Sequence, residues 1–224
     1  MARFDRVTVY NVMLEIGVVP LFYHPDVAAA QQIAGALARG GGRVLEFTNR
    51  GDFAFEVFGP LIKACAAEHP ELIVGAGSVE DAPTAALYLA LGANFVVGPT
   101  FSEDVARLCN RRKVAYLPGC GTVTEIARAE EFGAEIVKVF PGESVGGPDF
   151  VKAVRGPRPW TRVMPTGGVT PDEDNLRAWF KAGVACVGMG SNLARKEWID
   201  AGDYVAIETL MRMTLETVRA VRGR

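Results

Sequence analysis

Short runs of apolar and β-branched residues recur along the whole chain and predict eight β-strands. Their centres lie roughly 20 to 30 residues apart, which leaves room for a loop and a crossover helix after each strand. The predicted strands are Val18 to Phe22, Arg43 to Thr48, Leu72 to Ala76, Phe95 to Gly98, Val114 to Leu117, Ile136 to Phe140, Arg162 to Thr166 and Ala185 to Gly190. Strands that alternate with helices in this way predict a parallel sheet.

The segments between the strands are rich in alanine and carry apolar residues at helical spacing. Two clear stripes are Val27, Ala30, Ile33, Ala34 and Leu37 after the first strand, and Leu176, Trp179 and Phe180 after the seventh. Eight strand–helix units favour a closed barrel over an open sheet. Further helical patterns, residues 4–15 and 202–221, flank the set, and no linker interrupts it. The sequence therefore predicts an α/β fold: a single (β/α)8 TIM barrel domain over residues 1–224, with an extra N-terminal helix.

Composition and charge exclude several classes of protein. Hydrophobic residues make up 49% of the chain and charged residues 22%, which is typical of globular proteins and argues against disorder. A net charge of −2 predicts no nucleic-acid partner and no anionic membrane as a partner. The N-terminal residues form no signal-peptide core, and no apolar run approaches membrane-spanning length. We therefore expect a soluble cytoplasmic protein.

Cysteine and histidine positions give no metal-binding pattern. The cysteines are Cys65, Cys109, Cys120 and Cys186. They lie far apart, match no metal-ligand spacing, and are expected to be free buried thiols. Neither His24 nor His69 stands at ligand spacing from a cysteine or a carboxylate. The sequence therefore predicts no metal and no cofactor.

Lys138 is the most unusual candidate for chemistry. It lies in the run from Ile136 to Phe140, which otherwise has the composition of a fully buried strand. Because a strand alternates its faces, Lys138 points to the same side as Ile136 and Phe140. A buried ammonium is costly unless it is paired or loses its charge. A neutral amine in a dry pocket can attack a carbonyl and form a Schiff base. The alternative is a lysine that reaches solvent or only pairs with a carboxylate.

The second predicted strand contributes a carboxylate to the same interior. Leu45 and Phe47 would face the helices, so Glu46 would face the inside of the barrel. One interpretation is an ion pair of Glu46 with Lys138 that only fills the barrel. The other is that Glu46 transfers protons beside a Lys138 imine. Arg50, just past the end of this strand, is placed to bind a carboxylate with two hydrogen bonds, unless it is an ordinary surface arginine.

Glycines cluster just after the predicted strands, at the end that forms the catalytic face of a β/α barrel. Gly167 and Gly168 follow the seventh strand, and Gly190 and Ser191 follow the eighth. Loops at these positions commonly present backbone N–H groups to a phosphate. Tight turns alone would also explain the glycines. Together, the two pairs favour a phosphate site.

Four separated motifs resemble the 2-keto-3-deoxy-6-phosphogluconate aldolases, a family also active as 4-hydroxy-2-oxoglutarate aldolases. The motifs are Val44-Leu45-Glu46, Val74-Gly75-Ala76-Gly77-Ser78-Val79, Lys138-Val139-Phe140-Pro141-Gly142-Glu143 and Pro165-Thr166-Gly167-Gly168-Val169. The likeness extends from Val18-Val19-Pro20 to Gly190-Ser191. It implies a class I lyase of the Entner–Doudoroff pathway on a (β/α)8 barrel, assembled as a homotrimer, with a small keto acid as substrate.

The resemblance also implies a role for each matching position. Lys138 matches the Schiff-base lysine, and Glu46 matches the glutamate that transfers protons, partly through water. The matches for substrate binding are Arg50 and Ser78 for the pyruvate carboxylate, Pro99 and Phe140 for the walls of the pyruvyl pocket, Thr166 for the aldehyde half, and Gly167, Gly168, Gly190 and Ser191 for the phosphate. Ser78 stands where the family commonly has threonine, and its hydroxyl preserves the role.

Two departures from the family pattern leave the aldehyde half of the substrate open. Relatives often supply a basic side chain after strand one, whereas this chain has Tyr23-His24-Pro25. Asn49-Arg50-Gly51-Asp52 differs from the usual continuation, and the segment from Cys120 to Glu125 resembles galactonate-pathway relatives. The 6-phosphogluconate derivative, its galactonate epimer and unphosphorylated hydroxyoxoglutarate all remain candidate substrates.

The motifs predict retro-aldol cleavage to pyruvate and an aldehyde through an imine on Lys138. An imine supplies the electron sink, so no metal is required. Three alternatives remain: a metal-dependent aldolase, a phosphosugar isomerase on the same barrel, and a non-catalytic trimeric scaffold with a vestigial site. The complete set of Lys138, Glu46 and Arg50 argues against the scaffold.

Overall fold

The computed structural model describes residues 2–223 and contains every predicted strand. Met1 and Arg224, the two ends of the predicted domain, lie outside the described residues. The strands are β1 Val18–Phe22, β2 Val44–Thr48, β3 Ile73–Gly77, β4 Phe95–Val97, β5 Ala115–Leu117, β6 Gly119–Cys120, β7 Val137–Val139, β8 Val163–Pro165 and β9 Val187–Met189. All pairings between them are parallel.

The fifth predicted strand is β5, and the chain continues past its predicted end at Leu117 into a further short strand, β6, on the other side of Pro118. The carbonyl of Leu117 accepts from Gly98 N–H on one side, whereas the carbonyl of Pro118 accepts from Lys138 N–H on the other. Proline has no N–H to donate, so the ladder is interrupted there. The chain therefore changes its partner strand at this residue.

The strands close into a ring. In one direction the order runs β5-β4-β3-β2-β1-β9, and in the other β6-β7-β8. A parallel bridge between Thr166 and Gly188 joins the end of β8 to β9. Since β5 and β6 are consecutive in the chain, every strand position has two neighbours. The predicted (β/α)8 barrel is confirmed.

Helices follow the strands in the predicted alternation. They are α1 Arg6–Ile16, α2 Val27–Arg39, α3 Ala54–Glu68, α4 Ala82–Leu91, α5 Glu103–Arg112, α6 Val123–Glu131, α7 Gly147–Arg155, α8 Glu173–Ala182, α9 Lys196–Asp200 and α10 Tyr204–Arg222. Several begin at side-chain caps, such as Asp26 for α2 and Asp81 for α4, and Thr122 with Glu125 forms a capping box for α6. The short helix α9 was not predicted.

Two apolar layers form the core, and they confirm the alternation read from the sequence. Val44 and Ile136 belong to the interior of the barrel, while Leu45, Phe47 and Val139 pack between the strands and the helices. The predicted N-terminal helix is α1. Its buried residues Val9, Tyr10, Val12 and Met13 pack on the interior layer and close the N-terminal end of the barrel.

All four cysteines are free and buried, as predicted. Desolvation raises the pKa of each thiol to about 12. Among residues 2–223, no helix combines the length and the apolar character needed to cross a membrane.

Candidate active site

Lys138 and Glu46 meet inside the barrel. Lys138 Nζ lies 3.9 Å from Glu46 Oε1, and the two side chains are 4% and 0% exposed. Lys138 is on β7 and Glu46 is on β2, strands that are not neighbours in the ring, so the contact spans the interior. Two opposite charges removed from water stabilise each other at this distance and are costly apart.

The carboxylate of Glu46 keeps unused capacity for hydrogen bonds. Neither of its oxygens has a hydrogen-bond donor among the described residues, and 3.9 Å is too long for a hydrogen bond to Lys138. A buried carboxylate in this state is unfavourable on stability grounds alone. Glu46 is therefore available to accept a hydrogen bond from a hydroxyl group that enters the site.

Gly77 provides the space that Glu46 occupies. A Cβ atom at Gly77 would lie 1.8 Å from Glu46 Oε1, closer than any two such atoms can approach. The parallel register of β2 and β3 sets this contact, because it pairs Glu46 with Gly75 and Thr48 with Gly77. The sequence interpretation did not assign Gly77 to the site. The sequence feature that indicates it is a glycine at the end of β3, the strand that pairs with β2 and therefore lies beside Glu46.

Phe140 and Thr166 border the same interior. Lys138 Nζ lies 5.0 Å from the centre of the Phe140 ring. Thr166 is buried, and its hydroxyl has no hydrogen-bond partner among the described residues. Gly188 makes room for that hydroxyl, because a Cβ there would lie 2.3 Å from Thr166 Oγ1. Pro99 is half-buried just after β4.

Arg50 lies on the turn that follows β2. It is exposed, and no carboxylate pairs with it in the part of the chain that the structure describes. The preceding residue is held from two sides: Asn49 N–H donates to Gly77 O at 2.8 Å, and Tyr88 Oη donates to Asn49 Oδ1 at 2.9 Å. The bond from Tyr88 was not predicted. It links the turn to α4.

Ser78 follows β3 with φ of +56°, in the left-handed region that non-glycine residues seldom occupy. Such a conformation costs free energy, and it persists where the surrounding structure requires it. The turn places a half-buried serine at the same end of the barrel as Arg50.

The glycines after β8 form an open cradle of backbone. Gly167 and Gly168 have φ of +92° and +77°, conformations that favour glycine. The carbonyl of Gly168 accepts from Asn175 Nδ2 at 3.0 Å, and the carbonyl of Gly167 accepts from Glu143 N–H at 3.1 Å. Gly190 and the exposed Ser191 follow the neighbouring strand β9. The four predicted phosphate-binding positions therefore lie on adjacent loops.

His24, the nearest candidate for a cation after β1, faces its own turn. Its Nδ1 lies 3.1 Å from the backbone N of Asp26 and 3.3 Å from the Asp26 carbonyl. The imidazole ring of His24 thus binds the backbone of Asp26, the residue that caps α2.

Cavities among the described residues also lie away from the predicted site. One of about 710 Å³ lies at the N-terminal end of the barrel, between Arg3, Phe4, Leu89 and Arg112. Within residues 2–223, no three His, Cys, Asp or Glu side chains come together as a metal-binding group.

A closed parallel barrel with polar groups gathered at the carboxyl ends of its strands defines a (β/α)8-barrel enzyme. The comparison with known families narrows this class. The family model described as Aldolase, KDPG and KHG aldolase, matches residues 9–210, and the chain belongs to that family. It is an aldehyde-lyase of the kind that the sequence motifs predicted.

Curated relatives cover nearly the whole chain. The 2-dehydro-3-deoxy-phosphogluconate aldolase of Pseudoalteromonas atlantica is 37% identical over 94% of this chain and 95% of its own length. The KHG/KDPG aldolase of Escherichia coli K12 is 36% identical, over 89% of this chain and 91% of its own. Among solved structures, KDPG aldolase from Legionella pneumophila, with pyruvate captured as a covalent carbinolamine, superposes with a TM-score of 0.82. It is 28% identical, over 91% of this chain and 96% of that one.

Proposed function

We propose that this protein cleaves 2-keto-3-deoxy-6-phosphogluconate, and 4-hydroxy-2-oxoglutarate less efficiently, to pyruvate and an aldehyde through a Schiff base on Lys138. The observation that carries the proposal is the buried pair of Lys138 and Glu46 at 3.9 Å. The names of the relatives support both substrates, since one of them is called a KHG/KDPG aldolase. The captured carbinolamine in a related structure supports the covalent route.

Lys138 forms the covalent intermediate. Its neutral amine attacks the C2 carbonyl carbon to give a carbinolamine, which loses water to give a protonated imine. The position of Lys138 supports this role, because its buried Nζ faces the interior of the barrel, 3.9 Å from Glu46 Oε1 and 5.0 Å from the centre of the Phe140 ring. The iminium then accepts the electron pair released when the bond between C3 and C4 breaks.

Glu46 moves the protons. Through a water molecule it takes the proton from the C4 hydroxyl as the aldehyde leaves, which is glyceraldehyde 3-phosphate for the phosphorylated substrate. The resulting enamine is protonated at C3, and hydrolysis of the imine releases pyruvate and restores Lys138. The unpaired oxygens of Glu46 support this role, since a proton-transfer group needs free acceptor positions beside the reacting atoms.

The remaining predicted residues orient the substrate. Arg50, exposed and without a carboxylate partner, binds the substrate carboxylate together with the Ser78 hydroxyl. Pro99 and Phe140 enclose the pyruvyl group, and the Thr166 hydroxyl serves the aldehyde half. Backbone N–H groups of Gly167, Gly168, Gly190 and Ser191 bind the phosphate. By the family resemblance the protein works as a homotrimer in the cytoplasm and serves the Entner–Doudoroff pathway.

The test is a pyruvate-release assay on purified protein with three substrates: the 6-phosphogluconate derivative, its galactonate epimer and hydroxyoxoglutarate. We expect pyruvate from the first and the third, unaffected by EDTA. Loss of activity with EDTA would indicate a metal-dependent aldolase. A product other than pyruvate would indicate an isomerase, and no turnover of any keto acid would indicate a scaffold.

A further inference from the structure

We propose that Glu143 sets the preference for phosphorylated substrates by opposing the binding of their phosphate at the glycine cradle. This inference rests on the proposed function and concerns the aldehyde end of the same site. Glu143 lies directly over the cradle: a Cβ atom at Gly168 would be 2.4 Å from Glu143 Cβ and 2.8 Å from Glu143 Oε2. One carboxylate oxygen is thus in contact with the glycine whose N–H would bind the phosphate.

The backbone of Glu143 is held in this position. Glu143 N–H donates to Gly167 O at 3.1 Å, and the preceding Gly142 N–H donates to Thr166 O at 2.8 Å. These bonds extend the pairing of β7 and β8 into the two loops. The Glu143 carbonyl also accepts from Gly146 N–H at 3.1 Å. The side chain can turn, but its point of attachment remains beside the cradle.

The charge of Glu143 is not neutralised. The carboxylate is exposed and has no lysine or arginine partner among residues 2–223. The amide and indole donors nearby already serve backbone carbonyls. Asn175 Nδ2 and Trp179 Nε1 both donate to Gly168 O, and Asn192 Nδ2 donates to Val169 O. A phosphate would therefore meet backbone N–H groups, the hydroxyl of Ser191 and one negative charge.

The repulsion between the Glu143 carboxylate and a bound phosphate is large enough to measure. A carboxylate and a phosphate dianion bound to neighbouring groups in a largely solvated setting repel each other enough to weaken phosphate binding about 5- to 30-fold. Hydroxyoxoglutarate carries a single negative charge in its aldehyde half, a carboxylate attached directly to C4, which ends short of the position of a phosphate on C6. Its efficiency should therefore depend much less on Glu143. Glu143 therefore lowers the ratio of kcat/KM for the phosphorylated substrate to kcat/KM for hydroxyoxoglutarate.

The experiment compares Glu143→Gln with the wild-type enzyme on both substrates. We expect kcat/KM for the phosphorylated substrate to rise about 5- to 30-fold, mainly through KM, with hydroxyoxoglutarate changed less than about 2-fold. Inhibition by inorganic phosphate should strengthen by a similar factor. Glu143→Asp keeps the charge and should stay close to the wild type. Glu71→Gln removes an exposed carboxylate just before β3, at the end of the barrel away from the site. It should leave kcat/KM unchanged for both substrates.

An unchanged ratio in Glu143→Gln would overturn the inference. A loss confined to the phosphorylated substrate would also overturn it, since Glu143 would then bind that substrate. Both outcomes differ from failure of the proposed function, in which the wild-type enzyme itself would release no pyruvate. Trapping of pyruvate by borohydride in each variant shows that the site is folded.

Discussion

At the scale of single residues, the account depends on one buried lysine and one buried carboxylate that lie close together without a hydrogen bond between them. A pair that served stability alone would be expected to satisfy its remaining hydrogen-bonding capacity. Glu46 instead keeps both oxygens free of donors within the described chain. Buried carboxylate oxygens without donors are typical of a functional site, where they accept a hydrogen bond or a proton from the substrate.

Replacement of Glu46 by Gln should lower kcat about 100- to 10,000-fold, because the amide cannot accept and return the proton. Pyruvate should still form its adduct with Lys138. Steady-state kinetics and borohydride trapping separate the two effects. The control is Glu56→Gln, on the exposed surface of α3, which should retain wild-type turnover. Undiminished turnover in Glu46→Gln would make Glu46 a structural partner of the lysine.

Gly77→Ala should abolish most of the activity and destabilise the protein by about 1 to 3 kcal/mol, since the added methyl group would displace the Glu46 carboxylate. Kinetics and chemical denaturation measure the two effects. Gly156→Ala provides the control, because this glycine has helical φ and ψ and its nearest neighbouring atom would be 3.6 Å from the new Cβ. Wild-type kinetics for Gly77→Ala would mean that Glu46 need not occupy its observed position.

At the scale of elements, the parallel strands bring the site together and the helices hold its loops. The turn after β2 shows this most clearly, because a buried tyrosine on α4 reaches the residue next to Arg50. A single hydrogen bond of this kind contributes about 0.5 to 1.5 kcal/mol. The Tyr88 ring is buried, and desolvation raises the pKa of its hydroxyl to about 12, so the group remains a donor at working pH.

Tyr88→Phe should therefore raise KM for the keto acid about 2- to 10-fold and leave kcat within about 2-fold, because only the placement of Arg50 is loosened. Asn49→Ala should have a similar effect, and the double variant should be no worse than either single one. Tyr10→Phe removes a comparable buried hydroxyl at the N-terminal end of the barrel and should leave KM unchanged. Additive effects of Tyr88 and Asn49 would contradict a shared role.

At the scale of the whole molecule, the recurring apolar runs and their spacing were sufficient to predict the barrel. They also placed Lys138 and Glu46 on its interior, since strand geometry alone determines which way a side chain points. The contact between Tyr88 and Asn49 could not be predicted, because it joins elements 39 residues apart through side-chain packing. Helix α9 has too few residues for periodicity to show, and β6 is a two-residue strand beyond the predicted end of the fifth strand, too short for a pattern of its own.

Burial of the four thiols gives a test of the packed barrel as a whole. A thiol whose pKa is raised to about 12 is almost entirely protonated at pH 8, and it is also shielded from reagents. We expect none of the cysteines to react with Ellman's reagent within minutes in the native protein, and all four to react in guanidinium chloride. Rapid stoichiometric reaction of any thiol in the native state would contradict this packing.

The most direct test of the central claim is reductive trapping. Native protein is incubated with pyruvate and sodium borohydride, digested, and mapped by mass spectrometry. The account predicts one reduced pyruvyl adduct, on the peptide that contains Lys138, and no adduct in Lys138→Ala. Lys152→Ala, which removes an exposed lysine paired with Asp149, should be trapped like the wild-type protein. An adduct on another lysine, or none in a protein that still releases pyruvate, would contradict the Schiff-base mechanism at Lys138.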